Sequence, residues 1–317
     1  MKGKHYLSAL FVFTVVCFFV FSTEPHAQLG SFTREDLIKF TPEWKGERFQ
    51  DGRPRVPDDI LERMKLVETE EAWGVCRGGG YHYQFAGDWY NIHPERVVVG
   101  RAVTGTFIPH RPDVHRVTNE IGKTQGRVQT GGQNSWIIDT LVKDDVIVID
   151  LFGKVENGTY AGGNLANSIA AKTRTGMVID GGIRDLGQIF RLEDFNAFIR
   201  GADPTAIGGV TLAGINVPTR IGRAICMPGD VVLGTIEGVI FIPPHLAEKA
   251  VENSELVRLR DQFGFQRLHE GVYTPGEVDS RWSEEIEKDF TQWLKDNIDS
   301  LPVPKKQVQE ILKKRAQ

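Results

Sequence analysis

The residues with the clearest chemical potential lie between Gly162 and Asp185, in the stretch GGNLANSIAAKTRTGMVIDGGIRD. It ends on an Arg-Asp pair just past a glycine turn. Such a pair is either a surface ion pair, or a hard oxygen ligand for a divalent ion beside a guanidinium that clamps an anion. The stretch begins with GGNLA at the start of a helix-like segment. The first backbone N–H groups of a helix have no intrahelical acceptor and sit at the positive end of its dipole, so they suit a small carboxylate. Gly162, Gly163, Asn164 and Leu165 are therefore candidate substrate-binding positions. Arg184 is a candidate for a carboxylate or keto oxygen, and Asp185 for a metal ion such as magnesium. Glycine loops with a nearby Arg-Asp pair are also common as plain turns, and spacing alone leaves both readings open.

These positions have to be held by strands. From Arg96 the texture becomes apolar runs separated by glycine: RVVVGRAVTGTFI, DDVIVIDLFG, GMVIDG and DVVLGTIEGVIFIPP. Between the second and third runs, Asn164 to Arg174 places Leu165, Ala166, Ile169 and Ala170 on one side of a helix. Strand, helix and strand with short glycine joints is the pattern of a parallel βαβ unit. Loops leaving the first and second strands then lie on one edge of the sheet, where ligand-contacting residues collect. The expected class is α/β.

The flanks differ in composition. Lys2 and Lys4 precede the uncharged run Leu7 to Ser22, and Ala27 offers a small residue for a signal peptidase, so residues 1–27 read as an export signal. The alternative is a retained membrane anchor, because the run approaches a spanning length. Residues 28–57 are polar and broken by Pro42, Pro54 and Pro57, an arm laid over something else. Asp58 to Thr69 has acidic residues first and a helical apolar spacing, and the segment WGVCRGGGYHYQFAGDWYNIHPER after it suits a loop. The body is expected to span 58–250 and a charged helical extension 251–317. Of the two cysteines beyond the apolar run, Cys76 and Cys226, spacing does not say whether they pair. With a formal net charge of -4 over 317 residues there is no broad basic face, and nucleic acid is not an expected partner.

The runs PERVVVGRAVTGTF, KDDVIVIDLFG, GGNLANSIAAKTRTGMVIDGGIRD and MPGDVVLGTIEGVIFIPP resemble the RraA-like family, which includes 4-hydroxy-4-methyl-2-oxoglutarate aldolases and oxaloacetate decarboxylases. VIDGGIRD is the most specific block. The resemblance implies a compact swivelling-type β/α domain, assembled as a homotrimer or homohexamer with sites between subunits. It implies that Arg184 binds substrate, that Asp185 holds Mg2+ or Mn2+ directly or through water, and that the amides of Gly162, Gly163, Asn164 and Leu165 bind the pyruvoyl carboxylate of a small 2-oxo acid. An exported, periplasmic or extracellular lyase without stable membrane association after signal cleavage is the expected protein. The alternative is a non-catalytic exported binding or regulatory protein, since the family also holds ribonuclease regulators that lack the metal aspartate.

One departure matters. The family commonly places Glu or Asp directly after the glycine, where this chain has Asn164. A neutral amide there weakens metal binding or removes an aldolase base, and Asp150 and Glu156 are the nearby acids. His82, His93, His110 and His115 match no standard zinc spacing and read as surface or lid residues, with the loop Tyr81 to His93 shaping the substrate pocket. Arg111 and Arg116 are solvated cations by default, or charge for a second carboxylate. Trp73, Trp89 and Trp136 read as packing residues and not as a sugar platform.

Overall fold

The computed structural model describes residues 30–127 and 129–315. The apolar run Leu7 to Ser22 and the cleavage position Ala27 lie outside the described residues. Along the chain come α1 (Arg34–Phe40), α2 (Asp58–Met64), α3 (Thr69–Gly78), β1 (Phe85–Ala86), β2 (Tyr90–Asn91), β3 (Val98–Pro109), α4 (Pro112–Thr124) and α5 (Asn134–Ile138). The centre continues with β4 (Asp145–Asp150), α6 (Gly163–Thr173), β5 (Gly176–Ile183), α7 (Leu186–Ile189), β6 (Asn196–Ala202) and β7 (Val210–Ile215). Then follow β8 (Thr219–Ile221), β9 (Ala224–Cys226), β10 (Val231–Thr235), β11 (Gly238–Ile242), α8 (Ala247–His269), α9 (Pro275–Val278), α10 (Glu284–Asn297) and α11 (Lys305–Arg315). No helix among the described residues is long and apolar enough to cross a membrane.

The protein is mixed α/β. β3, β4, β5 and β6 run parallel in sequence order, with Asp150 opposite Asp180 in register. The βαβ unit read from glycine-joined runs is β4-α6-β5. The full path is β1-β11-β10-β3-β4-β5-β6-β2, with β7 paired to the far half of β3. Its terminal strands, β1 and β2, are joined by only Gly87, Asp88 and Trp89. At about 4.8 Å per strand, the edges of a flat sheet of this order would stand about 34 Å apart. The backbone from Ala86 to Tyr90 reaches at most about 14 Å. The sheet must therefore curl back on itself, and this segment closes it.

Closure explains why the strands are apolar on both faces. Side chains alternate, so Val146 and Val148, Val178, Phe198, Val232, and Val239 with Phe241 form one enclosed cluster capped by Ile221, Ala224 and Cys226 of β8 and β9. Their neighbours face outward. Ile147, Ile149, Met177, Ile179 and Ile199 meet α5, α6 and the surrounding loops, while Val231, Leu233, Ile240 and Ile242 meet α2, α3 and the start of α8. At roughly 1.5–3 kcal/mol for each fully buried aliphatic side chain, this double-sided burial is the main driving force for the fold.

Polar residues secure the closure. Asp180 Oδ1 accepts from Arg200 Nε at 2.6 Å, and its Oδ2 accepts from the Gly222 N–H in the β8–β9 turn at 2.9 Å. Arg200 Nη1 in turn donates to the carbonyls of Gly87 and Asp88 at 2.8 Å each, and its guanidinium lies 3.7 Å from the centre of the Trp89 ring. One carboxylate thus ties β5 to β6, the plugging hairpin and the closing segment.

Several local expectations need correction. Asp58 to Thr69 is not one helix: α2 ends at Met64, and a capping box between Glu68 and Glu71 starts α3. α3 also takes in WGVCRG, expected as loop, because Ala72, Val75 and Cys76 bury on the side facing β11 and α8. The rest of that segment supplies β1 and β2, whose pairing partners are distant in sequence. DVVLGTIEGVIFIPP is a hairpin, β10 and β11, turned at Ile236 and Glu237. Cys76 and Cys226 are both buried free thiols, and they do not pair.

The segment before α2 contains α1 and ends on two buried guanidinium contacts. Arg53 Nη1 donates to Asp145 Oδ1 at 3.0 Å, and Arg101 binds the Val56 carbonyl and the Asp58 carboxylate. At the other end, α8, α10 and α11 share a separate core around Phe263, Trp282, Phe290 and Trp293.

Replacing Asp180 by alanine should leave the Arg200 guanidinium without its carboxylate and the Gly222 N–H without its acceptor. We expect a loss of about 3 kcal/mol in urea unfolding, at the lower end for a broken buried pair because Arg200 keeps some solvent contact. A loss below about 1 kcal/mol would place the hold on the closing segment elsewhere.

Candidate functional site

β4 and β5 end side by side, and the two loops that leave them meet. The first reaches the amino end of α6 with Gly162 as N-cap, in an ordinary extended conformation with no side-chain cap of its own. The second turns sharply after Ile183: Asp185 adopts the left-handed conformation at φ 59°, which Asp tolerates better than most residues, and α7 begins. That turn carries the Asp185 carboxylate back to α6, where Oδ2 accepts from the Gly163 N–H at 3.0 Å. An acid from one loop thus caps the helix of the other, where the dipole favours negative charge.

Arg184 is fixed by its backbone, whose N–H donates to the Ala161 carbonyl at 3.0 Å, and its Nε stands 3.7 Å from Asp185 Oδ2. Both side chains are part-exposed, at 39% and 38%. They form an ion pair long enough to be rearranged by a ligand. The approach explains the two glycines. A Cβ at Gly162 would come within 2.5 Å of Asp185 Oδ2 and 2.7 Å of Arg184 Nε, and one at Gly163 would collide with the Gln188 side chain. A larger residue at either position would displace these side chains from the contact.

The structure therefore brings Gly162, Gly163, Arg184 and Asp185 together. Asn164 lies exposed in the first turn of α6, and Leu165 is half-buried against the core, so only its backbone remains for a ligand. The amides of Asn164 and Leu165 fall among those without an intrahelical acceptor. Gln188, which lies over Gly163, was not apparent from sequence, because nothing in its spacing marks it.

The other candidates are placed differently. Asp150 is buried, with Oδ1 accepting from the Phe152 N–H at 2.7 Å, and burial with the nearby Asp180 pushes its carboxyl above the usual range against the pull of that N–H and Arg220. Glu156 is exposed in the loop. His93 is no surface or lid residue: it is buried, stacked on Phe190 and bonded through Nε2 to the Phe190 carbonyl at 2.9 Å. His110 and His115 are 4.8 Å apart between ring centres, and burial followed by His110 holds His115 below its ordinary value. Arg111 and Arg116 pair with Asp113 and Glu120 on the exposed face of α4. Within the segment from Tyr81 to His93, Phe85 to Asn91 closes the sheet. Among the described residues, no group of three or more His, Cys, Asp or Glu is arranged to hold a metal ion.

Comparison with known proteins agrees with this architecture. The RraA-like family model, described as Aldolase/RraA, matches residues 75–241. An uncharacterised protein of Methanocaldococcus jannaschii is 31% identical over 144 residues, covering 44% of this chain and 68% of that one. A putative 4-hydroxy-4-methyl-2-oxoglutarate aldolase of Halalkalibacterium halodurans is 30% identical over 128 residues, covering 40% of this chain and 60% of the relative's length. Among solved structures, an unusual member of the RNase ES inhibitor RraA protein family from Streptomyces coelicolor superposes with a TM-score of 0.56 at 20% identity, over 68% of this chain and 98% of that one. That likeness concerns the fold. With the family model covering more than half of its length, closed sheet and VIDGGIRD block included, this chain belongs to the RraA-like family.

Proposed function

We propose that the protein is a divalent-metal-dependent lyase that breaks a carbon–carbon bond in a small 2-oxo acid. The reaction is retro-aldol cleavage or oxaloacetate-type decarboxylation, through a pyruvate enolate. The observation that carries the reading is the contact of Asp185 with the Gly163 N–H beside Arg184, which gathers a helix end, a guanidinium and a part-exposed carboxylate at one place. The name of the Halalkalibacterium halodurans relative, a putative aldolase, points the same way.

The residues present suit one kind of ion. A closed tetrahedral cage needs four protein ligands, and the described residues offer no such cluster. A hard ion that keeps several waters and takes its remaining oxygens from substrate needs only one or two carboxylates, and Asp185 supplies one. Mg2+ or Mn2+ fits, and when bound it supplies Lewis-acid polarisation of the keto and carboxylate oxygens. The protein's own groups do the rest. The Arg184 fork holds a carboxylate or keto oxygen as negative charge moves onto the pyruvate fragment. First-turn amides of α6 receive the pyruvoyl carboxylate, and Asp185 gives up its cap on Gly163 as that carboxylate arrives. Retro-aldol cleavage also requires a base for the hydroxyl proton, whereas decarboxylation of a β-oxo acid requires none.

A second reading, a non-catalytic binding or regulatory protein using the same residues, is favoured by the neutral and exposed Asn164. Pyruvate release from a panel of oxo acids, with and without Mg2+ or Mn2+, separates the two. In that assay Asp185→Ala should lower metal-dependent turnover about 100-fold or more, while losing about 1 kcal/mol of stability with the helix cap. Unchanged turnover and metal affinity in the variant would remove Asp185 from the site.

Asn164 also divides the two chemistries. The protein should decarboxylate oxaloacetate better than it cleaves a hydroxylated oxo diacid, and Asn164→Glu should raise aldol cleavage about tenfold or more over decarboxylation, part of the roughly 100- to 10,000-fold that a well-placed general base supplies. Vigorous aldol cleavage with Asn164 in place would locate the proton relay elsewhere. We further propose that residues 1–27 are an export signal and that the exported chain starts near Gln28. Mass spectrometry of the native protein checks this, and an intact Met1 in a membrane fraction would make the run Leu7 to Ser22 an anchor.

A further inference from the structure

A cavity of about 210 Å3 opens where the chain after α1 meets the β9–β10 connection and the turn after β11. It shares no lining residue with the site around Arg184. Drug-sized pockets run to roughly 300–1,000 Å3, so this one suits a smaller molecule. Trp44 and Tyr81 give it aromatic walls, extended by Met227 and Pro243.

Its charge is one-sided. Glu43 and Asp230 line it, and among its described lining residues none is Lys or Arg. His245 is hydrogen-bonded to the Tyr81 hydroxyl at 3.3 Å, and burial holds its imidazole below the ordinary value, with Glu43 pulling the other way. Asp230 is only 3% exposed. Its Oδ2 accepts from the Met227 N–H at 2.8 Å, and burial pushes the carboxyl up to about 8 with only that bond opposing. Three other buried acids are answered by arginine, Asp145 by Arg53, Asp180 by Arg200 and Glu255 by Arg63, whereas Asp150, like Asp230, is held by a backbone N–H. Among the described residues Asp230 has no such partner, although a buried carboxylate is costly without one.

We propose that this cavity binds a small organic amine, with the ammonium on Asp230 and an aromatic or apolar body against Trp44 and Tyr81. Burial alone leaves Asp230 largely protonated near neutral pH, and a bound ammonium favours its ionised form while the aromatic faces add attraction for positive charge. For an anion the described lining offers Glu43 and no Lys or Arg, which disfavours it. The ligand class is opposite in charge to the oxo acid proposed for the Arg184 site, and the two proposals stand or fall separately.

The test uses benzylamine and its neutral isostere benzyl alcohol, with affinity measured by calorimetry. The amine should bind about tenfold or more tightly than the alcohol, the difference expected from one charge-assisted hydrogen bond. Asp230→Asn, which keeps an acceptor for Met227, should abolish that preference. Asp185→Ala should leave it unchanged. Trp44→Ala, at a half-buried surface position, should weaken both ligands and gives a result even if Asp230→Asn fails to fold. Equal affinity of the wild type for both probes, a preference that survives Asp230→Asn, a preference lost in Asp185→Ala, or no effect of Trp44→Ala would each overturn the proposal.

Discussion

The architecture depends on closing a sheet whose two edges belong to neighbouring residues of the chain. β1 and β2 sit at opposite ends of the strand order yet are separated by Gly87, Asp88 and Trp89, so the sheet is either curled or unformed. The Asp180–Arg200 pair holds that geometry. Arg200 reaches the carbonyls and the aromatic ring of the closing segment, and Asp180 orients Arg200 while capturing the β8–β9 turn. A guanidinium suits the role because its fixed fork serves several acceptors at once while its face lies on an indole.

The same clasp positions the candidate site. Asp180 precedes Arg184 and Asp185 on one strand and its exit, in the block VIDGGIRD. Its carboxylate secures β5 against β6, and the backbone that follows is then able to turn through the left-handed conformation of Asp185 and deliver that side chain to α6. A functional group is thus placed by main-chain geometry and a rigid strand end, which locates it more firmly than a free loop would. The two glycines opposite leave room for contact with neither collision nor gap.

The flanking segments attach by different physics. The chain before α2 is held by buried guanidinium contacts at Arg53 and Arg101, while the carboxy-terminal helices bury an aromatic cluster of their own and join the body through α8. α8 belongs to both cores: Ala250 and Val251 pack toward β10 and β11, while Leu259 and Phe263 pack toward α10. The body and the helical extension consequently share one continuous helix. Asp230 lies at the junction of the amino-terminal segment with the sheet, so its cavity exists only because that segment covers it.

Much of this was legible in the residues. Apolar runs joined by glycine identified β3, β4 and β5, helical spacing identified α6, α8, α10 and α11, and residue chemistry singled out Gly162, Gly163, Arg184 and Asp185, because each signal is local and periodic. What escaped was non-local. β1 and β2 are two residues long and gain their identity from partners far along the chain, so propensity had nothing to register. α3 runs through a glycine- and tryptophan-bearing stretch because one face of it is buried against β11 and α8, which no local pattern reveals. Asp180 lies in the run GMVIDG with nothing local to mark it, and its role appeared only when Arg200 and Gly222 were brought to it. The sequence by itself determined which segments could pair and which side chains could do chemistry. Tertiary structure alone decided how the sheet closes, which buried acids find a cation and which are left without, since those outcomes depend on contacts made between distant parts of the chain.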